Sequence, residues 1–131
     1  MNPVLILSCL SFLTNVAAAL HKGEYLYAFL FYVLTITSIW HHGLYSIYTR
    51  VFDYTAIFCV VSYGAYFFFK KPKSFASIII VISLFLSTVV LYNIGKITNQ
   101  FCFHPNFQKA NMWHALLHTL SSIGHHIILV A

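Results

Sequence analysis

The stretch SFASIIIVISLFLSTVVLYNI, residues 74–94, decides the fold class. It contains no Asp, Glu, Lys, Arg, His, Gly or Pro. As a helix rising 1.5 Å per residue it covers roughly 30 Å, the hydrocarbon thickness of a bilayer. A helix of a soluble domain hides an apolar stripe and shows a polar face, whereas this segment is apolar all round. A buried strand would end after about four to eight residues. Backbone groups in lipid are satisfied within their own segment, so the stretch reads as a membrane-crossing helix.

Similar runs lie on either side. Pro3–Leu20, Tyr25–His42, Val51–Phe69 and Ala110–Ala131 are each predominantly apolar and of comparable length. The expectation is an all-α, polytopic transmembrane bundle of about five helices in one domain, 1–131 (roughly 3–20, 25–42, 51–69, 74–94 and 110–131). The connections are His21–Glu24, a polar link over Gly43–Arg50, Lys70-Lys71-Pro72-Lys73, and a longer loop over Lys96–Lys109 in which Pro105 forbids helix. Composition agrees. The chain is 60% hydrophobic and 7% charged, against about 25% charged residues in soluble domains.

Seven Lys and Arg against two acids give a formal net charge of +5. No basic run alternates with solvent-facing polar residues, which excludes a nucleic-acid footprint; the excess suits anionic lipid headgroups. If the N-terminus lies on face X, alternation puts Lys22, Lys70, Lys71 and Lys73 on face Y, and Arg50, Lys96 and Lys109 on X. The cluster beside the helix ends makes Y cytoplasmic and X lumenal or extracellular. Ala17-Ala18-Ala19 could end a cleaved signal peptide, but residues before the first run carry no Lys or Arg, which argues against cleavage. The three cysteines, Cys9, Cys59 and Cys102, lack C-x-x-C spacing. Cys9 and Cys59 are expected to pack as small hydrophobes.

Against this apolar background the polar residues stand out. Ser38, His41, His42, Asp53, His114, His118, His125 and His126 lie in or at the ends of the runs. An ionisable group in mid-membrane costs ~2.5–3.5 kcal/mol on insertion scales and is by default a functional candidate. Ser38 and His42 are four residues apart, as are His114 and His118, so each pair shares a helix face. Asp53 opens the third run, and alternation places all five at the same end of the bundle. Taken singly, a membrane His-x-x-x-His is most often an interhelical hydrogen-bonding pair, and a Ser bonds to its own helix. Jointly, three imidazoles, a carboxylate and a hydroxyl are what zinc hydrolysis needs: three ligands, a base for a water and an oxyanion partner. His125 and His126 are left unassigned, His41 competes with His42, and His21 and His104 read as loop residues.

This pattern, Ser38-x-x-x-His42, Asp53, then His114-x-x-x-His118, resembles the signature of the CREST superfamily: alkaline ceramidases, adiponectin and progestin receptors, hemolysin III-like proteins and relatives of myomaker. The Ser–His and His–Asp spacings are similar to the ceramidase branch, and Phe52-Asp53-Tyr54-Thr55-Ala56-Ile57 to the receptor and hemolysin III branch. The segment Trp113-His114-Ala115-Leu116-Leu117-His118-Thr119-Leu120 is similar to several branches. The resemblance implies Zn2+ held by His42, His114 and His118, with Asp53 and Ser38 catalytic, in hydrolysis of a membrane-lipid amide such as ceramide, or of an ester. Members usually have seven helices against the five expected here, and no acid occurs in residues 1–23 where ceramidases carry a calcium-binding motif. A pocket short of one hairpin suggests filling by lipid or by a homo-oligomer. Rival readings are a non-catalytic receptor or fusion factor with a structural zinc, and a transmembrane haem-binding electron-transfer protein.

Overall fold

The computed structural model describes residues 2–131, and among them there are helices and no strand. The helices are α1 (Pro3–Cys9), α2 (Ser11–His21), α3 (Tyr25–Leu44), α4 (Ile47–Lys70), α5 (Phe75–Val89), α6 (Gly95–Thr98) and α7 (Phe107–Val130). They make five rods, because α1 and α2 are one rod broken at Leu10, and α5 runs into α6 through a π turn at Val90–Ile94. The break at Leu10 has a local cause. Ser8, Ser11 and Thr14 donate to the carbonyls of Leu5, Ser8 and Ser11 at 2.8, 2.7 and 2.6 Å, and such back-bonding bends helices.

Three spans are long and apolar enough to cross a membrane: Pro3–His21, Ile47–Lys70 and Phe75–Phe103. The remaining two expected crossings, α3 and α7, have 20 and 24 residues, which is length enough. Their histidines, hydroxyls and amides dilute their hydropathy. Those two helices are also the interior of the bundle. α3 packs on α1, α2 and α4, and α7 on α1, α2, α4 and α5.

Buried positions recur every three or four residues. They are Leu5, Cys9, Phe12 and Asn15 on the first rod, and Phe31, Leu34 or Thr35, Ser38 and His42 on α3. On α4 they are Thr49, Asp53, Ala56, Val60, Gly64 and Phe67, and on α7 His118, Ser122, His125 and Leu129. This is the 3.5-residue seam of helices crossing at a shallow angle. The apolar core runs through Phe12, Tyr27, Phe31, Leu34 and Val60, while outward residues such as Phe58, Phe69, Phe75 and Ile97 are exposed and apolar, as a lipid-facing surface requires.

Turn chemistry joins the rods. Gly23, at φ 73, closes α2 with bonds from Gly23 N–H to Leu20 and from Glu24 N–H to Ala19, a Schellman end. Only Tyr45 and Ser46 separate α3 from α4, so these lie antiparallel. α4 begins at Ile47, earlier than Val51 as expected from the sequence. Ser46 accepts from Thr49 N–H and Thr49 accepts from Ser46 N–H, a capping box that starts the helix ahead of Arg50. α7 likewise begins at Phe107, capped by Asn106, rather than at Ala110. Asn2 N–H donates to the His42 carbonyl at 3.3 Å at one end of the bundle. At the opposite end Lys71 faces Glu24 at 3.6 Å and Lys73 Nζ caps the Ile128 carbonyl at 2.7 Å.

Candidate metal centre

His42 sits in the last turn of α3, held there by the way that helix stops. Tyr45 takes a left-handed conformation, φ 50, and donates its N–H to the His41 carbonyl at 2.8 Å. That conformation costs a non-glycine residue roughly 1–2 kcal/mol, so packing on both sides must fix it. About two and three turns inside α7, His114 and His118 face His42. Ring centroids are 5.0 Å apart for His42 and His114, 5.3 Å for His42 and His118, and 4.9 Å for His114 and His118. The three imidazole rings named from the sequence are therefore neighbours.

Neither ring nitrogen of His42 has a hydrogen-bond partner among the described residues, and the side chain is 2% exposed. A buried polar atom left unpaired costs about 1–3 kcal/mol. An ion held among the rings would satisfy one of these nitrogens, so the residues present fit a metal.

Asp53 is buried on the facing side of α4. Ser38 donates to its Oδ1, and the Thr37 hydroxyl, whose proton is shared with the Leu34 carbonyl at 3.1 Å, lies 3.3 Å from the same oxygen. Oδ2 is thereby left for a water or substrate. The ion pair between Lys71 and Glu24 is the only one among the described residues, so no basic side chain lies within ion-pair distance of the Asp53 carboxyl, whose charged form is costly unless a cation stands nearby. Ser38, His42, Asp53, His114 and His118 all line a single cavity of about 480 Å³.

Two contributors from the first rod escaped the sequence reading. Ser8 Oγ lies 2.8 Å from His118 Nδ1 and gives its only proton to the Leu5 carbonyl. With that proton on Leu5, Ser8 accepts from Nδ1–H, the tautomer that leaves Nε2 of His118 unprotonated and able to ligate. Cys9 is fully buried, as expected of a small hydrophobe, but it is also polar in its surroundings. One ligating atom from each of Cys9, His42 and His118 lies within 4.8 Å of the other two, and Cys9 Sγ is 3.8 Å from His118 Nδ1. His114 stands outside that trio by donor position, although its ring touches both of the others. The hydroxyls back-bonding along one face of α1 and α2 were the signal in the sequence for a polar seam there.

The remaining histidines have other work. His41 Nδ1 meets Thr49 Oγ1 at 3.2 Å, and His126 meets Thr14 at 3.0 Å. His125 is hydrogen-bonded to Tyr27, and Gly64 makes room for it: a Cβ there would come within 2.6 Å of the His125 ring. His104 accepts from Asn106 N–H at 2.9 Å in the loop before α7, and His21 ends α2.

No protein family, curated protein or solved structure matches the chain. What the centre can do follows from its own geometry.

That geometry includes a way in. α4 and α5 are consecutive, yet no Cα of one comes within 8 Å of a Cα of the other, and the Tyr54 and Tyr92 hydroxyls bridge α4 to the π turn that follows α5. An apolar cavity of about 310 Å³, lined by residues such as Val61, Ala65, Phe68, Ile82 and Phe85, fills the gap. It shares Val61, Thr88, Ser121 and His125 with the polar cavity, so an apolar cleft leads to a polar floor.

Proposed function

We propose that the chain is a zinc-dependent intramembrane hydrolase acting on a lipid amide, ceramide-like, with an ester as the second choice. The observation that carries this reading is His42: a buried imidazole with both nitrogens unpaired, ringed by two more imidazoles and facing a carboxylate that has no basic side chain within ion-pair distance. His42, His114 and His118 would hold the ion. Zinc, when bound, supplies a Lewis acid that polarises a carbonyl and acidifies water. Asp53 orients the water through Oδ2 and takes its proton. Ser38 and Thr37 fix the carboxylate through Oδ1, and Ser38 can turn its hydroxyl to a developing oxyanion. The lipid enters sideways through the cleft between α4 and α5 with its chain on the apolar side. That cleft lies, along the chain, between Asp53 and His114, where a seven-helix relative would carry another hairpin; lipid or a second copy of this chain fills it.

This reading agrees with the CREST resemblance and places the centre at the lumenal or extracellular end, with Lys70–Lys73 cytoplasmic. Metal analysis of the purified protein tests it first, with one zinc per chain expected and a metal-free protein refuting it. Hydrolysis of ceramides, acyl amides and glycerolipids tests it second. The alternative, a receptor or fusion factor with a structural zinc, is favoured by one observation, the Cys9 thiol beside His118, because four protein ligands make a closed site. No observation favours haem.

A further inference from the structure

We infer that Cys9 is a fourth protein ligand, its thiolate closing the coordination sphere begun by His42, His114 and His118; this rests on the metal-binding part of the reading above, not on hydrolysis. Cys9 is fully buried, and its donor atom, with those of His42 and His118, lies within 4.8 Å of the others. Donor atoms sharing a tetrahedral zinc are about 3.5 Å apart, given Zn–S and Zn–N bonds of about 2.3 and 2.0–2.1 Å. Contraction by roughly an ångström therefore suffices for Cys9, His42 and His118, and the His114 donor has farther to move. The independent sign of a ligand is again His42, buried and unpaired, aimed into the same space.

The thiol has a second resting place. Cys9 Sγ now donates to the Leu5 carbonyl at 3.1 Å. Binding breaks the S–H bond, releases the proton to solvent water and gives the sulfur lone pair to the ion.

The test uses cobalt(II) titrated into the full-length, metal-free protein in detergent. Thiolate ligation produces an intense near-ultraviolet charge-transfer band, whereas imidazole and carboxylate ligation produce only the weaker visible bands. The expected result is both sets of bands. Cys9→Ser should lose the near-ultraviolet band, keep the visible ones, and bind cobalt at least about tenfold more weakly, the scale on which even an outer partner acts. The band should survive in a Cys59→Ser, Cys102→Ser double variant, which decides the matter if Cys9→Ser fails to fold. Visible bands without the near-ultraviolet band overturn Cys9 as a ligand and leave the hydrolase reading standing. A band that persists in Cys9→Ser, or vanishes in the double variant, also overturns it. Protein that binds no cobalt overturns both proposals. A band in protein that hydrolyses no lipid keeps the ligand and removes the hydrolase.

Discussion

The two halves of this bundle are built on different terms. On one side, the first rod, α3, α4 and the inner face of α7 close over a seam in which polar and aromatic side chains alternate and interlock. On the other, α5 contributes no buried residue at all and keeps its backbone away from α4, with no Cα pair within 8 Å. Both halves are apolar toward the outside, so hydrophobicity does not distinguish them. Association in lipid gains little from burying apolar surface, and helices that pack tightly do so through small residues and hydrogen bonds. α5 has little of either facing α4, and a cleft is the result. The packed half is where a precise cluster can be held, and the open half is where a flexible lipid can enter.

Removing the cluster should have the largest effect. A variant with His42, His114 and His118 all changed to Ala should fall from one bound metal per chain to background by elemental analysis; retained stoichiometric metal would move the ion elsewhere. Asp53→Asn comes next. It preserves shape and the bonds from Ser38 and Thr37, so the protein should stay folded and metal-bound while lipid hydrolysis drops about 10²–10⁴-fold, the usual worth of a general base. Unchanged turnover would strip Asp53 of that role.

Ser8→Ala should weaken metal binding about 10–100-fold in a competition titration with a chelator, because His118 loses the partner that fixes its tautomer. An unaltered affinity would mean that Ser8 merely satisfies its own helix. The glycines sharpen the contrast between the halves directly. In Gly64→Ala the new Cβ would lie 2.6 Å from the His125 ring and 2.8 Å from the Tyr27 hydroxyl, and overpacking of this kind costs about 1–3 kcal/mol. The loss should register as a lower unfolding midpoint in detergent. At Gly124, which lines the same apolar cavity as Gly64 but faces α5, the nearest atom is Leu84 Cβ at 3.8 Å, an ordinary contact, and Gly124→Ala should shift the midpoint least of all, within about 0.5 kcal/mol of no change. Equal effects at the two glycines would mean that the cleft is closed in the native membrane.

Much of this could be read in the chain before any coordinates. The i, i+4 pairs Ser38/His42 and His114/His118 define faces by helical periodicity alone, and alternation of the crossings carries those faces and Asp53 to one end. Boundaries were less legible where hydroxyl caps outweighed hydropathy, as at Ser46 and Asn106. Hydrogen bonding to a helix's first amides sets its start, and apolar content does not register it. The role of α1 was hidden for another reason. Cys9 and Ser8 sit 109 and 110 residues from His118, and the nearby hydroxyls of Ser11 and Thr14 mark a polar face without telling which helix it meets.

By itself, then, the order of residues determined an all-helical membrane chain and nominated five side chains for one end of it, because turn geometry and the cost of polar atoms in hydrocarbon are local rules. Only the tertiary structure decided that α1 delivers a thiol and a hydroxyl to the histidines and that α5 stands away from α4. Which faces of distant helices meet depends on rotation and tilt, and these are set by the packing of every seam at once.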